Sequence, residues 1–191
     1  MEKDNTFARL AALEQRLKAL EDERAIRALL AWYCFGADAG RHEEFIDLFT
    51  EDARIEVSLY GGTDHSLLDI PDPNVTRPHH FIGRSGVSDY INSPLHLSIE
   101  GRSQHHMVGP PGVITVSGDD AMAETYVVVY AKNEGNFSPR VDFQSHAFAR
   151  WKFRRVNGYW KISEIVRRRM GTEEQNDLLQ TYLMSPATGP D

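Results

Sequence analysis

The sequence predicts an α+β domain in which leading helices cover one face of a curved, largely antiparallel sheet. Three observations carry this reading. Apolar residues at three- and four-residue steps run from Leu10 to Tyr33, alternating strand-like segments fill the chain from Ser103 to Met170, and an Asn157-Gly158 pair sits between Trp151, Phe153, Trp160 and Ile162 as a hairpin signal.

The elements follow in order. Leu10, Leu13, Leu17, Leu20, Ile26, Leu29, Leu30 and Tyr33 fall on one face of a helix. Its first half is a short leucine heptad, suited to a packing or oligomer contact rather than to a cofactor, and Glu21-Asp22 marks an expected break between this arm and a second helix. Gly36, Asp38 and Gly40 end the pattern. HEEFIDLF places Phe45, Leu48 and Phe49 on one side of a further helix that closes at Glu51-Asp52, and ARIEVSLY alternates as a strand. Residues 61–80, rich in Gly, Pro and Asp, read as a long loop of the kind that serves as a lid or binding segment. GRSGVSDYIN returns to helix. Strands are then predicted in SQHHMVGPPGVITVSG, AMAETYVVVYAKNE and FQSHAFARWKFRRVNGYWKISEIVRRRM, with turns at Gly118-Asp119-Asp120 and Asn157-Gly158. The expected organisation is a flexible N-terminus (1–7), one domain (8–171) and a weakly patterned tail (172–191) ending in SPATGPD.

Composition narrows the function classes. With 191 residues and 41% hydrophobic content, the chain can bury one real core. The 28 Asp and Glu residues outnumber 21 Lys and Arg, a net charge of -7 that gives no basic field for phosphates, so no nucleic-acid partner is expected. Cys34 is the single cysteine, which excludes an intramolecular disulfide and a multi-cysteine metal cluster and fits a reducing compartment. No signal peptide or apolar stretch of spanning length is evident. A cytoplasmic protein with a small-molecule substrate and no membrane contact is the expectation.

The order of LAALEQRLKALEDERAIRALLAWYCFGAD, FTEDA, HFIGRSGVSDYI, QHHMVG and RRVNGYWKISEI resembles the SnoaL-like branch of the nuclear-transport-factor-2-like superfamily. The resemblance implies a cystatin-like α+β barrel, a cone-shaped antiparallel or mixed sheet wrapped around N-terminal helices, with a pocket at its wide end and a tendency to form homodimers or homotrimers. Within the branch the chain is similar to cofactor-independent lyases: scytalone dehydratase, hexachlorocyclohexane dehydrochlorinase and bile acid 7α-dehydratase. Those families pair an Asp after the first long helix with a His at the start of a later strand, and the matching residues are Asp38 and His106. Tyr33 matches a tyrosine five residues before the Asp, and Arg169 an arginine near the end of the last strand. An aspartate those enzymes carry on the next strand is not matched; Tyr130 stands about where it falls.

A carboxylate that holds an imidazole tautomer lets the ring take a proton from carbon and pass one to a departing hydroxyl. Taken alone, Asp38 would equally suit a helix or turn cap and His106 a satisfied core histidine. His105 and His106 are adjacent on a strand, so only one can face the pocket; the motif register selects His106, and a one-residue bulge would reverse the choice. Eight histidines invite a metal site, through His105/His106 with His79/His80 or His146, but no ligand spacing such as HExxH is present, and neither metal nor cofactor is expected.

The expected pocket wall is apolar: Trp32, Phe35, Phe49, Tyr60, Phe81, Met107, Tyr126, Tyr130 and Phe137, with His80 above it and His146 and Arg169 as polar contacts. The function that follows is a lyase, dehydratase-like or an isomerase or small-fragment lyase, acting by acid-base catalysis on a small apolar ring compound such as a steroid, a polyketide or a lignin-type aromatic met in aromatic compound catabolism. The alternative is a non-catalytic hydrophobic-ligand binder or a scaffold like a dioxygenase β-subunit.

Overall fold

A computed structural model describes residues 2–60, 76–108, 114–132 and 141–183. They form α1 (Glu2–Asp38), α2 (His42–Ile46), β1 (Phe49–Tyr60), β2 (Thr76–Ile82), α3 (Gly83–Ile91), α4 (Pro94–Ile99), β3 (Ser103–Val108), β4 (Thr115–Ser117), β5 (Asp120–Lys132), β6 (Val141–Val156), β7 (Tyr159–Arg169) and α5 (Glu173–Leu183). The strands make one mixed sheet in the order β2-β1-β7-β6-β5-β3, with β4 paired to β5. Among the described residues only β1 and β7 run parallel; the other pairings are antiparallel. The sheet is open, with β2 and β3 as its edges. This is the α+β architecture expected from the sequence.

Strand register defines the concave face. Phe81, Ile55, Ile165, Trp151 and Ala123 lie in one row across the sheet, and Val57, Arg167, Ala149 and Thr125 in the next. Met107, Val127, Ala147 and Arg169 follow, then His105 beside Val129. Ile55, Val57, Ile165, Trp151, Ala123, Val127 and Val129 are buried there against Ile26, Leu29, Leu30, Tyr33, Cys34 and Ala37 of α1. The Trp151 indole donates to Thr125 Oγ1 at 2.9 Å, so the largest core side chain buries no unpaired donor.

The hairpin expected at Asn157-Gly158 joins β6 and β7, with both residues at positive φ (51° and 84°), the left-handed pair that a two-residue turn requires. Other elements differ from expectation. α1 is continuous through Glu21-Asp22, because Asp22 is fixed by Lys18 Nζ at 2.9 Å, Arg155 Nη2 at 2.7 Å and Trp160 Nε1 at 3.1 Å rather than left to break the helix. The helix already includes Glu2, inside the stretch read as a flexible N-terminus. Thr76–Ile82 pair with β1, so the end of the loop read over 61–80 is strand; residues 61–75 lie outside the described residues. Glu173–Leu183, within the segment read as a tail, form α5 on the outer side of β6 and β7. Among the described residues no helix is long and apolar enough to cross a membrane.

Candidate active site

The site begins where α1 stops. Gly40 takes a left-handed φ of 62°, which lets the Arg41 N–H return to the Gly36 carbonyl at 2.9 Å and closes the helix. The last turn thus ends on Asp38, whose backbone carbonyl accepts from the Gly101 N–H at 3.0 Å. Its carboxylate accepts from Ser103 Oγ at 2.9 Å, from the His105 backbone N–H at 2.9 Å and from the His105 ring Nδ1 at 2.7 Å. Burial pushes the Asp38 carboxyl upward, but the His105 ring and amide and the Ser103 hydroxyl outweigh it and hold it below the usual carboxylate value. Asp38 is therefore an anion locked to the start of β3.

This grip corrects the pairing expected from sequence. Ser103 and His105 both turn inward to Asp38, so strand alternation sends Gln104 and His106 outward. The His105 side chain is 2% exposed. His106 is exposed, with its Nε2 near Gln104 Oε1 at 3.3 Å and its ring edge-on to Tyr130.

A chain of rings leads from His105 into the core. The His96 ring stacks parallel to it with centroids 6.2 Å apart, Tyr90 lies edge-on to His96 at 4.5 Å, and the Tyr90 and Tyr33 hydroxyls meet at 3.1 Å. Burial, reinforced by the neighbouring His105 and Arg167, pushes the His96 imidazole down to about 3, so it is neutral near pH 7. Burial and Tyr90 push the Tyr33 phenol well above its ordinary value, which keeps its proton in place. Burial and the Asp38 charge raise the Cys34 thiol to about 12. Arg167 acts against the shifts of Tyr33 and Cys34, which places its positive charge close to this cluster. The cluster thus holds one anion, one neutral imidazole, the protonated Tyr33 phenol, the Tyr90 hydroxyl and an arginine beside the His105 ring.

Other residues expected at the pocket are distributed differently. Tyr33 is buried at the ring cluster, Phe81 lies edge-on to Tyr90 at 5.4 Å, and Met107 faces inward, its Sδ accepting from Thr125 Oγ1 at 3.5 Å. Arg169 shares the concave register with Arg167. Trp32 and Phe35, 63% and 62% exposed, are on the outward side of α1, and Phe49 is in the core. Tyr126, Tyr130 and His146 belong to the convex face, opposite in register to Val127 and Val129. His80 is also outward, 3.8 Å from Glu56, which pairs with Arg168. The Tyr60 side chain and Phe137 lie outside the described residues.

Tyr90, His96 and Arg167 are the members that were not among the residues expected at the site. Tyr90 had a signal: Gly86, Val87, Tyr90 and Ile91 form the buried stripe of α3. His96 had little, because α4 is six residues long and opens with Pro94.

The fold agrees with comparison to known proteins. Residues 18–166 match the SnoaL-like domain family. The chain belongs to that family. A search of characterised proteins gives no match. Among solved structures, this SnoaL-like chain is similar to a nuclear-transport-factor-2-like protein with a cystatin-like fold from Novosphingobium aromaticivorans, at 26% identity and a TM-score of 0.69 over 88% of this chain and 95% of that one. It is similar to the hexachlorocyclohexane dehydrochlorinase LinA-type3 from Novosphingobium barchaimii, at 18% identity and a TM-score of 0.58 over 81% and 90% of the two chains. It also resembles the β subunit of a candidate aromatic-ring-hydroxylating dioxygenase from Novosphingobium aromaticivorans, at 19% identity and a TM-score of 0.56 over 79% and 89%. The last two likenesses concern the fold.

Proposed function

We propose that this SnoaL-like chain is a cofactor-independent lyase whose proton-transfer pair is Asp38 and His105. The observation that carries the reading is the 2.7 Å contact from His105 Nδ1 to an Asp38 carboxylate that stays ionised in a half-buried site. With Nδ1 directed at Asp38, Nε2 is the atom left to meet a substrate, and the anion stabilises the imidazolium that forms there.

The preferred reaction is elimination of water. His105 Nε2 takes a proton from carbon next to a carbonyl, and the electron pair moves into the carbonyl as an enolate. Tyr33, which retains its proton, and the hydrogen-bonded Tyr90 hydroxyl donate toward the developing oxyanion, and Arg167 adds positive charge. The enolate pair then returns to form the C=C bond as the neighbouring C–O bond breaks, and the imidazolium gives its proton to the departing hydroxide. The Tyr33, Tyr90 and Phe81 rings and the inward-facing Met107 favour a small apolar ring substrate with a few oxygen atoms, such as a hydroxylated steroid, a polyketide or a lignin-type aromatic.

The likeness to a dioxygenase β subunit supports a second reading, a ligand-binding or scaffold protein. An ionised carboxylate held against the ring nitrogen of a buried histidine is the arrangement that acid-base chemistry needs, which favours the enzyme. The test is incubation of the purified protein with hydroxylated steroids, polyketide rings and lignin-type aromatics, followed by mass spectrometry for loss of water. Product from the wild type but not from Asp38→Asn supports the lyase. Saturable binding of these compounds with no product from any of them favours the binding reading.

A further inference from the structure

We propose that the projecting N-terminal arm of α1 binds a second copy of this chain, the two arms pairing in parallel as a short two-stranded coiled coil. Every residue from Thr6 to Glu21 is exposed, and Leu10, Leu13, Leu17 and Leu20 are 52%, 57%, 57% and 65% exposed. Four leucines at steps of three, four and three form the a and d seam of two heptads.

The chain's own domain cannot cover this seam. α1 meets the domain through Asp22, Ile26, Leu29, Leu30, Tyr33, Cys34 and Ala37. At 100° per residue, that side lies roughly 160° around the helix from the leucines. The leucines and the domain are on nearly opposite faces of one continuous helix, which corrects the single apolar face expected from Leu10 to Tyr33.

The flanking charges select the partner and its direction. With Leu10 and Leu17 at a, and Leu13 and Leu20 at d, Arg9 and Arg16 occupy g and Glu14 and Glu21 occupy e. In a parallel pair each g residue faces the e residue of the next heptad on the other helix, so Arg9 meets Glu14 and Arg16 meets Glu21, in both directions. An antiparallel pair would set Arg against Arg and Glu against Glu. The next a and d positions are Arg24 and Arg27, which end the apolar seam where the domains begin. Two heptads alone form a marginal coiled coil, but α1 is held helical by its packing from Asp22 onward, so helix nucleation is already met.

The test uses the full chain with Leu13→Cys. A parallel pair places position 13 beside its own copy, whereas an antiparallel pair centred on the same seam places it beside position 17. Cys34 is buried, so the wild type is a silent control. In a glutathione redox buffer, Leu13→Cys is expected to form a disulfide dimer on a non-reducing denaturing gel. In sedimentation equilibrium, Glu14→Arg with Glu21→Arg should weaken self-association by about tenfold or more, and adding Arg9→Glu with Arg16→Glu should restore it. Absence of the disulfide dimer, or its formation only when Leu13→Cys is mixed with Leu17→Cys, overturns the proposal. So does a dimer whose affinity ignores the charge reversals, which would place the interface elsewhere.

Discussion

Asp38 and His105 are joined through two separate groups of the histidine: the ring Nδ1 at 2.7 Å and the backbone N–H at 2.9 Å both meet the same carboxylate. The backbone contact fixes where β3 starts, and the ring contact fixes how the imidazole is turned. One side chain at the end of α1 therefore sets both strand position and ring orientation. The consequences can be tested separately.

Asp38→Asn keeps the side-chain shape but removes the charge, and it sets an NH2 group against one of the donors that Asp38 now accepts. Turnover of an identified substrate should fall by about 10²- to 10⁴-fold. Stability should fall by about 1–3 kcal/mol, read from the urea midpoint. Unchanged turnover would remove Asp38 from the mechanism.

Acid should destabilise the fold in two windows. Folded His96 stays neutral down to about 3, whereas an unfolded histidine takes up a proton near its ordinary 6.5. Between those values the unfolded chain binds more protons, so stability falls as pH drops, by up to about 4 kcal/mol. Asp22, lowered to about 2 by Arg155, Lys18 and Trp160 against the opposing effect of burial, adds stability present above about pH 4 and lost as pH falls toward 2. Glu124 works in the opposite sense, since burial raises it despite Arg150. Urea midpoints measured from pH 7 to pH 4 should decline in the wild type and decline less in His96→Gln; equal slopes would contradict the placement of His96.

Asp22 is where the arm of α1 is fastened to the sheet. Asp22→Ala leaves the Arg155 guanidinium and the Trp160 indole N–H without this acceptor, at a cost of about 2–4 kcal/mol. The melting temperature should drop, and tryptophan emission should shift as Trp160 loses its partner. A shift of neither would argue against a fastening role.

Gly86 of α3 faces the backbone of β2, where an added Cβ would lie 2.8 Å from the Phe81 carbonyl carbon. Alanine normally favours a helix over glycine by about 1 kcal/mol. Here Gly86→Ala should instead destabilise by about 1–3 kcal/mol, because main chain must move. Thermal unfolding of the single variant reads the sign directly.

Much of this architecture was legible in the residue pattern, since spacing alone carries helical faces and strand alternation. The Leu10-to-Tyr33 steps carried the helix α1 but not its single apolar face, since the leucines and the core stripe point opposite ways, and Asn157-Gly158 carried the β6–β7 turn. What periodicity lacks is absolute phase. Alternation says that His105 and His106 face opposite ways, but which is inside depends on the hydrogen bonds Asp38 draws from Ser103 and His105, contacts across 65 and 67 positions. Trp32, Tyr126 and Tyr130 were read as pocket wall from their chemistry, yet the register of α1 and β5 turns them outward. His96 stood in a helix too short to announce itself.

The most direct measurement compares kcat for His105→Ala and His106→Ala on the same substrate, with circular dichroism confirming that both fold. The Asp38–His105 account predicts a loss of about 10³-fold or more for His105→Ala and a change within a few-fold for His106→Ala. A fully active His105→Ala, or an inactive folded His106→Ala, would contradict it.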